Sequence, residues 1–205
     1  MNSVIKSTIA ACVFFAAAST PLIAEADTFA YSSKGAFGYM SGSNGNLSLY
    51  VNASENTTQS KSNKSGSSGA DASGYYFNTS TGECWFGYGS TDTIQFKAIG
   101  SLPKQVTASG AVSVTWYEYC SGLYPVVTDT VTFNEDLTAM RDQASSSWGT
   151  GHSEYGNIKV NDHFDYSSAP ASVNASSISS QSFGTVPLLG GYVGQSKSHD
   201  VQITR

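Results

Sequence analysis

The chain of 205 residues holds ten Lys and Arg against fifteen Asp and Glu, a formal charge of −5 at neutral pH. Only 12% of its residues are charged, where an ordinary globular domain has ~25%. Neither that balance nor any run of basic residues suits a nucleic-acid or anionic-membrane partner.

Residues 1–26, "MNSVIKSTIAACVFFAAASTPLIAEA", have the layout of a secretory signal: Lys6, an apolar stretch, then small residues at Ala24 and Ala26. The apolar stretch is shorter than the ~20 residues that cross a bilayer, and no later segment comes closer. Cys12 belongs to this leader, and the other two cysteines, Cys84 and Cys120, are expected to form a disulfide in an exported chain. Residues 27–205 then make a single all-β domain.

The apolar period is two almost everywhere, and Gly, Asn and Ser punctuate it at short intervals, from Gly42–Gly45 to Gly190–Gly191. Many short strands with hairpin-length connections predict an antiparallel β-sandwich or jelly roll with one disulfide. Residues 52–73, "NASENTTQSKSNKSGSSGADAS", contain no aliphatic larger than Ala and no aromatic, which predicts a flexible polar loop. Val112, Val114 and Trp116 alternate with Ser113, Thr115 and Tyr117, and "VVTDTVTF" from Val126 reads as another strand. The following segment, "NEDLTAMRDQA" from Asn134, reads as a turn and then a strand. Asparagine sequons at Asn46, Asn52, Asn56, Asn63, Asn78 and Asn174 carry no weight behind an alanine-rich leader of bacterial type.

Alternation also sorts candidate site residues by face. In "VTWYEYCSGLYP", Cys120, Glu118 and Trp116 fall on the core side, and Tyr117 and Tyr119 look outward. If Cys84 is also a core residue, Trp85 looks outward too. If the two strands belong to one sheet, Trp85, Tyr117 and Tyr119, with Tyr124 nearby, form an aromatic platform on which sugar rings stack while Asn, Ser and Thr bond their hydroxyls; if the disulfide crosses between sheets, these residues fall on opposite outer surfaces and form no platform. Glu118 is a carboxylate on an apolar face, and such burial raises a pKa toward that of a glycosidase proton donor. A jelly-roll glycoside hydrolase would need a second carboxylate, for which Glu154 is the candidate. His152 with Glu154, and His163 with Asp165, share strand faces, with Asp162, Asp200 and His199 elsewhere, but their spacing matches no metal-ligand motif. No Gly-x-Ser-x-Gly elbow or phosphate loop is present. The expected function is a secreted, non-catalytic recognition module for carbohydrate or a cell-surface polymer, without cofactor, metal, nucleic acid or transmembrane segment. The alternatives are a structural subunit or adhesin, whose last strand "SHDVQITR" alternates suitably, and the hydrolase just described.

Overall fold

A computed structural model describes residues 27–60 and 63–204; the expected leader lies outside the described residues. Twelve strands pair antiparallel: β1 (Asp27–Ser43), β2 (Leu47–Ser60), β3 (Lys64–Asn78), β4 (Glu83–Thr91), β5 (Ile94–Ile99), β6 (Gln105–Glu118), β7 (Val126–Ala139), β8 (Ser145–Tyr155), β9 (Ile158–Val173), β10 (Ser177–Ser180), β11 (Gly184–Val186) and β12 (Leu188–Thr204). Their order in one sheet is β11-β10-β7-β6-β4-β3-β2-β1-β12-β9-β8, and β5 adds to β6. A further pairing of β7 with β9, from Leu137 opposite Val173 to Ala139 opposite Ala171, joins the sheet back onto itself. Eight strands thus close a barrel-like ring, which removes most of the free edge that an open sheet would present. The all-β antiparallel expectation with a single disulfide holds, and Cys84 is bonded to Cys120.

Strand alternation builds the core. Val112, Val114 and Trp116 of β6 point inward to meet Leu47, Leu49 and Val51 of β2 and Met40 of β1, all of them buried. Trp116 is the largest of these side chains, and Phe183 covers it with ring centroids 4.6 Å apart. Its bulk is admitted by Gly74 and Gly87 on the neighbouring strands. A Cβ at Gly74 would lie 2.6 Å from Trp116 Cη2, and one at Gly87 would collide with the same indole. Most interior positions are apolar, and the exterior mixes Ser, Thr and Asn with aromatic side chains. No helix among the described residues is long and apolar enough to cross a membrane.

The polar loop expected over residues 52–73 is instead the long outer half of a hairpin. β2 and β3 pair without a break out to Gln59 opposite Lys64. Ala53, Ala70 and Ala72 face inward and are buried, and beyond them the side chains stand in solvent. The absence of large aliphatic residues reflects close wall packing and then an unburied strand extension, and the backbone ladder is satisfied regardless. The segment after Asn134 is also the reverse of its expected order. β7 runs on to Ala139 and a 3-10 turn, Arg141–Gln143, follows. Glu135 had obscured the alternation of Phe133, Glu135 and Leu137, all three of which point inward and are buried.

Candidate functional site: an outward aromatic row

The odd-numbered positions of β3 and the even-numbered ones of β4 face out, and their register aligns aromatic rings from strand to strand. Tyr75 stands opposite Phe86, and Phe86 opposite Tyr117. The Tyr75 and Phe86 centroids are 5.1 Å apart. Toward β2, Tyr50 meets Tyr75 edge-on at 6.5 Å. On β1 and β12, Tyr39 lies opposite Tyr192 with centroids 6.4 Å apart. Burial, and then the neighbouring Tyr50 and Tyr192 hydroxyls, raise the pKa of Tyr39 above its ordinary value, as expected of a phenol packed within such a line. The row Tyr192, Tyr39, Tyr50, Tyr75, Phe86, Tyr117 therefore crosses six neighbouring strands. At ~4.8 Å per strand, its five steps span about 24 Å along the sheet. Tyr75 and Tyr117 remain 51% and 47% exposed, and Phe77 and Tyr88 widen the patch on either side. Aromatic side chains grouped on one outward face make this the candidate contact surface.

A rigid loop borders one end of the row. The chain leaves β6 at Glu118 and returns at Val126, with Tyr119, Leu123 and Tyr124 exposed. Tyr124 has φ 50°, a left-handed conformation that costs a bulky residue energy and persists only where its surroundings impose it. Glu118 braces the start of the loop. Its carboxylate accepts the backbone N–H groups of Cys120 at 2.8 Å, Ser121 at 3.0 Å and Cys84 at 3.4 Å, and the Ser121 hydroxyl also donates to it. The disulfide ties Cys120 to β4 beside the same carboxylate.

Tyr117, Tyr119 and Tyr124 are thus exposed where the sequence reading put them. Trp85 is not. It faces Glu118 across the β4–β6 ladder, is 9% exposed and packs on Phe183. The inversion follows from the disulfide. Cys84 lies on the outward side opposite Phe77, and Cys120 sits past the end of β6 in the exposed loop, so the bridge does not mark the core face. Phe86 takes the outward place expected of Trp85. Tyr39, Tyr50, Tyr75, Phe86 and Tyr192 were missed as site residues. Their signal was present as aromatics at alternate positions, as in "LSLYV" and "GYYFN", but only strand order reveals that they align.

Glu118 is unlike a proton donor. Hydrogen bonds from the Ser121 side chain, opposed by burial and reinforced by the three backbone donors, hold its pKa below the usual value. Glu154 is held low as well, by its bond to and the charge of Lys159, against slight burial and with further help from His152. The two carboxylates do not share a cleft. Glu154 lies opposite Lys159, and β9 reaches β7 only at Ala171–Val173, roughly 40 Å farther along that strand. Glu118 sits at the opposite end of β6 and β7 from that junction. His152 contacts Glu154 at 3.5 Å and His163 contacts Asp165 at 3.2 Å. Among the described residues no three His, Cys, Asp or Glu side chains converge as a metal site.

No family model and no curated protein sequence matches the chain. Among solved structures it is similar to an acetoacetate decarboxylase-like enzyme from Sphingomonas wittichii RW1, at 9% identity over 88% of this chain and 92% of that one. The TM-score is 0.27, and at that level the likeness says nothing about activity.

Proposed function

We propose that the protein is an exported, non-catalytic recognition module that holds carbohydrate or a comparable cell-surface polymer along the aromatic row. The carrying observation is the alignment of six outward rings across six strands, Tyr192 to Tyr117, beside a loop braced by Glu118 and the disulfide. Sugar rings present flat C–H faces that stack on aromatic side chains. A row of such rings suits an extended chain rather than a single small molecule. Most of the platform sits on strands, so little conformational freedom is lost on binding. A glycan-array screen of residues 27–205 tests the reading: retention of at least one polysaccharide or long oligosaccharide supports it, and no retention at millimolar ligand counts against it.

One observation favours a second reading, a subunit of a surface assembly. Among the described residues β8 ends the sheet with its outer ladder unpaired, and nearly every one of its side chains is exposed. Such an edge can accept a strand from another chain. Size-exclusion chromatography separates the two: a recognition module runs as a monomer, whereas an assembly subunit forms higher species as concentration rises.

A further inference from the structure

We infer that the open end of the sheet carries a second binding site, on the opposite face from the aromatic row, for a sugar chain bearing carboxylate or sulfate groups. It does not depend on the aromatic row. β1, β12, β9 and β8 run on past the ring, together with the tips of β2 and β3, and their inward face continues as an uncovered trough of about 530 Å³. Register sets the charges along its floor. Lys34 stands directly opposite Lys197, and one step farther out His163 stands directly opposite His199. Lys64, from the tip of β3, lines the same trough.

Like charges placed directly across a ladder destabilise a sheet. Here Lys34 and Lys197 stand directly opposite each other, while Asp165 faces Lys197 from its other side across the β12–β9 ladder. Among the described residues no carboxylate lies within ion-pair distance of Lys34, Lys64 or Lys197, and the trough's own Asp165 is taken up by His163 at 3.2 Å. At the inner end Glu55 lines the adjoining mouth beside Lys34. Three lysines line one trough in a chain of net −5. An oxyanion between Lys34 and Lys197 relieves their repulsion with charge-assisted bonds. Trp148 indicates what carries the oxyanion. It is 73% exposed and stands opposite Asp165, hence on the same face and in the same cross-strand row as Lys197 and Lys34. Its ring lies two strands from Lys197 on the same face, past Asp165, and offers a flat surface to a further unit of an acidic sugar chain.

The test is equilibrium binding of residues 27–205 to polygalacturonate, dextran sulfate, neutral dextran and duplex DNA at low salt. Polygalacturonate binding identifies a carboxylate ligand and dextran sulfate binding a sulfate ligand; either is expected, weakening as salt rises. The Lys34→Ala/Lys197→Ala variant is expected to lose about tenfold in affinity and Trp148→Ala severalfold. Tyr155→Ala, an exposed position outside both the trough and the aromatic row, should bind as the parent does. Because the lysines are exposed and repel, their removal should leave the melting temperature unchanged or higher, so a loss of binding is not a loss of fold. Unaltered binding by the double lysine variant overturns the inference. So do equal affinity for neutral dextran, tighter binding to DNA than to either acidic polysaccharide, and no binding to either of them.

Discussion

Glu135 makes the fold's stability depend on pH in a way that can be calculated. The side chain points into the barrel from β7 and is 1% exposed, and neither carboxyl oxygen has a hydrogen-bond partner among the described residues. Its neighbours are apolar or backbone: Val106, Leu137 and Gly38, where an added Cβ would lie 2.7 Å from its Oε2. Burial without a partner disfavours the charged form and pushes the pKa from 4.5 to about 8. The unfolded chain therefore releases this proton near pH 4.5, whereas the folded chain holds it until near pH 8. The fold loses stability progressively between those two values and changes no further above the higher one. Worked through, the loss is about 4 kcal/mol between pH 5 and 8.5, of a total of about 5 kcal/mol. Glu118, Asp136 and Glu154 have lowered pKa values, and their contributions disappear on acidification below the ordinary carboxylate range, outside this window. The raised Tyr39 hydroxyl acts only above pH 10. Urea unfolding at pH 5, 7 and 8.5 should show the parent weakening across the series and Glu135→Leu holding nearly constant, with a gain of about 3 kcal/mol at pH 7. A parent stability that stays flat from pH 5 to 8.5, or a leucine variant with the parent's slope, refutes the assignment.

Reducing the Cys84–Cys120 bridge, or replacing both cysteines with Ser, opens a loop with a sequence separation of 36 and should cost about 4 kcal/mol in the same assay; without reductant, alkylation should label neither residue. Gly74→Ala forces a methyl group against Trp116 and Leu49 and should destabilise by about 1–3 kcal/mol without changing what the outer face binds. Glu118→Gln weakens the acceptor of three backbone N–H groups and the Ser121 hydroxyl. Limited proteolysis should then cut faster around Leu123 and Tyr124, and no polysaccharide hydrolysis should be measurable in either form.

Period-two alternation carried the all-β class, and it placed Val112, Val114, Trp116 and Tyr117 correctly because each strand position there is decisively apolar or polar. It failed where the physical signal is weak. Ala53, Ala70 and Ala72 are core residues too small to stand out among Ser and Thr, so a paired hairpin with a short buried base reads as a loop. Alternation counted from the disulfide turns Trp85 outward, but Cys120 lies past the last paired residue of β6 and so does not mark the interior face. The lysines of the trough are separated along the chain, at 34, 64 and 197, and strand pairing alone gathers them. The aromatic row is the same kind of object, since its rings come from six strands and their alignment depends on register, a property of pairs rather than of any one segment.

Affinity gel electrophoresis with neutral polysaccharides in the gel tests the outer-face reading most directly, comparing the parent with Tyr75→Ala/Tyr117→Ala and with Tyr155→Ala, a tyrosine more exposed than either but outside the row. The row predicts that at least one polysaccharide retards the parent and Tyr155→Ala alike, and that the double variant, folded by circular dichroism, loses at least about tenfold in affinity. Equal retardation of all three proteins, or no retardation of the parent by any neutral polysaccharide, contradicts it.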